Sequence, residues 1–105
     1  MTLIMPITSQ SPTNQAIVNT TGGVLLATGG GYVAGPPVVT TAGSADAVAQ
    51  LYDGTSTSGT LLATFGLAAV GPVGMPNQGF AKGLFVEVTA TTAGVLNINY
   101  TGNAA

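Results

Sequence analysis

Two stretches near the C-terminal end, GLFVEVTA (83–90) and VLNINY (95–100), alternate apolar and polar side chains with a period of two. That is the repeat of a pleated strand, whose successive side chains point to opposite faces. A helix would bring apolar residues back every three or four positions. In the first stretch Leu84, Val86, Val88 and Ala90 share one face, and Phe85, Glu87 and Thr89 share the other. In the second, Leu96, Ile98 and Tyr100 oppose Val95, Asn97 and Asn99. The small-residue link TTAG at 91–94 reads as a turn, so residues 83–100 are predicted to form a β-hairpin.

The same signal extends upstream. ADAVAQLY (45–52) puts Ala47, Ala49 and Leu51 on one face, with Asp46, Val48, Gln50 and Tyr52 on the other. Both faces carry apolar groups, as in a partly covered sandwich strand. TLLATFGL (60–67) reads as the next strand. Earlier in the chain, QAIVN (15–19), VLLAT (24–28), a brief pairing at 32–34 and VVTT (38–41) are separated by glycine-rich breaks. VVTT follows Pro36-Pro37, which predicts an edge strand. No window of a dozen residues has helical spacing. The expected fold is all-β: a single β-sandwich or jelly-roll-like domain over residues 15–105. An extended N-terminal arm is expected over residues 1–14, where Pro6 and Pro12 favour extended backbone. The segments LLATGGGYVAGPP (25–37) and LLATFGLAAVGPV (61–73) agree at seven of thirteen positions. In a chain with 16 glycines and many Ala and Leu residues, this echo carries no weight by itself.

Charge is the scarcest property. Lys82 is the single basic residue, and Asp46, Asp53 and Glu87 are the only acidic ones. At 4% charged the chain lies far below the roughly 25% of an average soluble domain. A net charge of −2 supplies little repulsion between copies. The plain reading is a surface of Thr, Ser, Asn, Gln and Gly; the sharper one, which the charge depletion favours, is a life inside a large assembly. One cation cannot support phosphate-backbone binding, so no nucleic-acid partner is expected. No apolar run reaches the roughly 20 residues of a membrane-spanning helix, and no membrane partner is expected.

Catalytic chemistry has few residues to draw on. His and Cys are absent, which removes the usual general base, thiol nucleophile and transition-metal ligands. Asp46 and Asp53 are seven residues apart, a spacing compatible with a carboxylate pair of the glycosidase kind. A Ser–Lys dyad between the DGTSTSGT loop (53–60) and Lys82 is conceivable, but nothing around those residues supports it. Asp53-Gly54 is a good turn start, because Asp bonds its own backbone and Gly takes positive φ, so the loop reads as a wide or bulged hairpin tip. Lys82 reads as a solvated charge at a strand edge, with an ion pair across a subunit boundary as the alternative. No enzyme activity, cofactor, metal or small-molecule substrate is expected.

The order of motifs carries a resemblance. LYDGT (Leu51–Thr55), the run Ser56–Thr64, the segment Gly79–Thr89 and the strand Val95–Tyr100 are similar to the small β-rich virion proteins of tailed bacteriophages. The likeness spans roughly residues 40–101 and is a pattern of strands and turns without a catalytic motif. It implies a structural role in the particle. Within that class it points to a capsid decoration (cement) protein, a homotrimer on the outer capsid surface of the virion that bridges major capsid proteins. The arm, through Leu3, Ile4, Met5 and Ile7, is then the expected partner interface. A tail, neck or fibre-base component is the alternative. A carbohydrate-binding attachment module would need exposed aromatics, for which Tyr32, Phe80 and Phe85 are the candidates.

Overall fold

The structure is a computed structural model that describes residues 13–74 and 77–105. Among them there is no helix, and the strands are β1 (Asn14–Val18), β2 (Gly22–Thr28), β3 (Gly31–Tyr32), β4 (Val38–Thr41), β5 (Val48–Asp53), β6 (Thr60–Gly66), β7 (Gly71–Pro72), β8 (Gly79–Phe80), β9 (Gly83–Thr89), β10 (Val95–Tyr100) and β11 (Asn103–Ala104). They form a four-stranded sheet, β1-β10-β4-β7, a five-stranded sheet, β11-β2-β9-β5-β6, and the small pair β3-β8. Every pairing is antiparallel. The fold is all-β and sandwich-like, as the alternation predicts.

The core is built from the faces that the alternation picks out. Leu84, Val86 and Val88 of β9, Ala49 and Leu51 of β5, and Leu96, Ile98 and Tyr100 of β10 are all buried in one cluster. Val39 of β4 and Val18 of β1 join it. Full burial of a side chain such as Leu or Ile contributes roughly 1.5–3 kcal/mol, so this cluster is the main source of stability.

The predicted hairpin over residues 83–100 does not form. β9 pairs with β2 and β5, whereas β10 pairs with β1 and β4, so the two strands lie in different sheets. The alternation specifies which face of a strand is buried, not which strand sits beside it. Two strands with fully apolar inner faces satisfy both faces equally well by meeting across a core. The link at 90–94 makes the crossing. Its Gly94 has φ 71°, and a Cβ there would come within 2.5 Å of both the Gly43 nitrogen and the Thr41 oxygen. β4 also departs from expectation: it lies inside its sheet, between β10 and the two-residue β7, and it is β7 with Pro72 that takes the outer position.

The Leu-Leu-Ala-Thr echo has a structural counterpart. In β2, Leu25 pairs with Phe85 and Ala27 with Leu84, which leaves Leu26 as a bulge. In β6, Leu61 pairs with Tyr52 and Ala63 with Leu51, which leaves Leu62 as a bulge. The extra residue shifts the parity of the strand, so that Leu26 and Ala27 both turn inward while Thr28 stays in solvent. No duplicated unit follows from this, because β2 precedes its partner β9 in the chain and β6 follows its partner β5.

The bulge at Leu26 also ties the two sheets together. Its carbonyl accepts a buried hydrogen bond of 2.8 Å from the Tyr100 hydroxyl of the opposite sheet. It accepts a second, at 3.0 Å, from the Ala105 backbone N–H. Burial pushes the Tyr100 hydroxyl above its ordinary pKa, so it stays protonated as the donor. The Tyr100→Phe variant is expected to lose about 1 kcal/mol, read as a lower urea midpoint with an unchanged slope. An unchanged midpoint would show that this bond contributes nothing.

Candidate functional site

The DGTSTSGT segment closes the β5–β6 hairpin, with Asp53 paired to Thr60. Its tip folds on itself: Gly59 N–H donates to the Ser56 carbonyl at 3.1 Å, and the Ser56 and Ser58 hydroxyls are 2.6 Å apart. The sequence-level expectation of a bulged hairpin holds, with the bulge inside the strands at Leu62. The role of Asp53 differs from the turn-forming one expected. Its carboxylate reaches across to the β8–β9 link and accepts from the Lys82 N–H at 2.7 Å and the Ala81 N–H at 3.0 Å. Gly54 N–H adds a bond of 3.1 Å to the Gly83 carbonyl. Asp53 thus clasps two loops together.

A shallow, open depression of about 290 Å³ lies over this clasp, lined by Asp53, Thr55, Ser58, Thr60 and Lys82 with the two loop glycines. It brings Ser58 and Lys82 to one place, as a Ser–Lys dyad would require. The Ser58 hydroxyl, however, is bonded to Ser56 and not to the lysine. The Asp53 carboxylate is bonded by backbone donors, chiefly Lys82 N–H and then Ala81 N–H, which hold its pKa below the ordinary carboxylate range.

Asp46 is a second clasp of the same kind. Its carboxylate accepts from the Ser44 hydroxyl, from the Thr91 hydroxyl at 2.9 Å and from the Thr91 N–H at 3.2 Å. Those bonds, the Ser44 hydroxyl foremost, hold its pKa low as well. Asp46 precedes β5 and Asp53 ends it, so about 20 Å of extended chain separates them. The spacing that admitted a glycosidase-type pair therefore gives no pair, since such carboxyls lie within about 5–10 Å of each other. Among the described residues no group of three His, Cys, Asp or Glu side chains is placed to hold a metal ion. No helix among them is long and apolar enough to cross a membrane.

The aromatic candidates separate. Phe80 is buried at 6% exposure and cannot stack on a sugar. Tyr32 is exposed on the small β3–β8 pair, and Phe85 lies half-buried on the outer face of the five-stranded sheet. Leu3, Ile4, Met5 and Ile7 lie outside the described residues.

One feature escaped the sequence reading. Leu25, Phe85, Tyr52 and Leu61 are consecutive cross-strand partners on β2, β9, β5 and β6. They form an unbroken row on the solvent side of the five-stranded sheet. Phe85 leans over Gly23, where a Cβ would come within 2.3 Å of the ring. The inward-outward alternation places Tyr52 and Phe85 on outer faces, but only the register puts the four residues in line.

No family model, no curated protein and no solved structure matches this chain.

The two clasps predict a defined acid limb. A carboxylate held low in the folded state contributes stability that is fully present above the unfolded pKa, about 3.9 for Asp. That stability is lost as pH falls through the lower folded-state value. Thermal stability is expected to hold from pH 7 to about 5 and to fall below about 4. The D46N/D53N double variant should show a flatter acid limb. An acid limb identical in both proteins would contradict the clasp assignment.

Proposed function

We propose that the chain is a structural virion protein of a tailed bacteriophage, most specifically a decoration protein on the outer capsid surface that bridges major capsid proteins. The observation that carries this reading is what the structure does with so few charges. Asp46 and Asp53 are consumed as loop clasps, so Lys82 and Glu87 are the only charged side chains not tied into them. The rest of the described surface offers neutral groups: exposed Ile17, Val38 and Leu61, and the amides and hydroxyls of Gln15, Asn99 and Thr40. Such a surface binds by shape and apolar burial more than by electrostatic steering.

The N-terminal segment fits the same role. β1 is the outermost strand of its sheet, so one of its edges has no strand partner among the described residues. An extended partner segment can add to such an edge. Leu3, Ile4, Met5 and Ile7 are the residues proposed to anchor the chain to a shell subunit.

The test is reconstitution on capsid shells that lack this protein. The full chain is expected to bind and to raise the shell's disassembly temperature. A chain starting at Thr13 should keep its far-UV circular dichroism spectrum and bind at least tenfold more weakly. Equal binding by both would move the interface away from Leu3–Ile7. No binding by either would remove the decoration role.

A further inference from the structure

The row on the outer face has an internal symmetry. Gln50, Leu51 and Tyr52 pair with Thr64, Ala63 and Leu61. Gly83, Leu84 and Phe85 pair with Thr28, Ala27 and Leu25. Tyr52 and Phe85 pair with each other between these two sets. The local register therefore repeats under a half-turn about the Tyr52–Phe85 pair, and the row reads Leu, aromatic, aromatic, Leu from either end.

We propose that this face is an interface between two copies of the chain, stacked sheet on sheet about a twofold axis that runs along the strands midway between β5 and β9. A closed pair uses the same patch on both partners, so the patch has to be complementary to itself. About that axis, β9 of one copy lies over β5 of the other. Phe85 meets the partner subunit's Tyr52, and Leu25 meets the partner subunit's Leu61. The next row meets in the same way: on each strand Gly23, Glu87, Gln50 and Thr64 are in register. Glu87, its carboxylate leaning toward Gly23, then stands level with Gln50 of the partner subunit, and no two carboxylates are brought face to face.

The side chains are prepared for that contact. The Tyr52 hydroxyl donates to Gln50 Oε1 at 3.0 Å, which turns the Gln50 amide so that its N–H groups remain available. No hydrogen bond among the described residues uses Gln50 Nε2 or the Glu87 carboxylate. Glu87 is the only charged side chain in these two rows, so an amide opposite it supplies a donor without a like charge. Leu61, at 49% exposure, is the least covered member of the row and gains most from a partner. This pairing does not rest on the virion reading. It is a twofold assembly and differs from the trimer that the resemblance implies.

Sedimentation equilibrium of the full chain, from micromolar to several hundred micromolar, tests it. The expected mass rises to that of two chains. Leu61→Lys and Thr64→Lys, both at exposed positions of this face, should each raise the dimer dissociation constant at least tenfold. Ile17→Lys, also at an exposed position but on the other sheet, should leave it unchanged. Circular dichroism establishes that each variant is folded; if Leu61→Lys is not, Thr64→Lys decides. A monomer throughout, a trimer, a dimer indifferent to both face variants, or one weakened as much by Ile17→Lys would each overturn the proposal.

Discussion

The structure depends on the separation of β9 and β10 into opposite sheets. Each strand has a fully apolar inner face, Leu84, Val86 and Val88 on one and Leu96, Ile98 and Tyr100 on the other. Placed side by side, those faces would form one half of a core still in need of a cover. Placed across from each other, they cover themselves. The short crossing through Gly94 makes this possible, and the bond from Tyr100 to the Leu26 bulge fixes how the sheets sit. Once β9 is in the five-stranded sheet, its outward residues, Phe85 and Glu87, are aligned with those of β2 and β5.

The few charged groups act locally. Asp46 and Asp53 stand at the two ends of β5, and each gathers donors from a distant part of the chain. Each carboxylate joins segments far apart in the chain, and the bonds it accepts favour its charged form and hold its pKa low. The polar depression beside Asp53 lies over that clasp. Beyond these clasps the sheet faces carry few charges, with Glu87 on the outer face of the five-stranded sheet.

Most strands were legible from alternation and glycine breaks. β5, β9 and β10 fall within a few residues of where the periods of two begin and end, β2 and β6 coincide with the apolar runs 24–28 and 60–67 between breaks, and the inward residues of β9 and β10 are the ones expected. The partners were not legible. A strand's period says nothing of its neighbours, so Thr91–Gly94 read as a hairpin turn when it is a crossing between sheets. VVTT read as an edge because Pro precedes it, yet the N–H groups from Val38 onward are free to pair on both sides. Asp53 read as a turn residue because its distant acceptor role at Ala81 and Lys82 depends on tertiary placement. The row Leu25–Phe85–Tyr52–Leu61 was hidden for the same reason: its members come from four strands and line up only in the folded register.

The proposed role, one of many copies in a built structure, rests on a charge-poor β-sandwich preceded by a segment that mixes apolar and polar residues. Quantitative mass spectrometry of purified phage particles, counting this chain against the major capsid protein, tests that claim most directly. A ratio comparable to the major capsid protein is the predicted result. A handful of copies would place the chain at the neck, tail or fibre base and contradict the decoration role. Absence from the particle would contradict the virion role altogether.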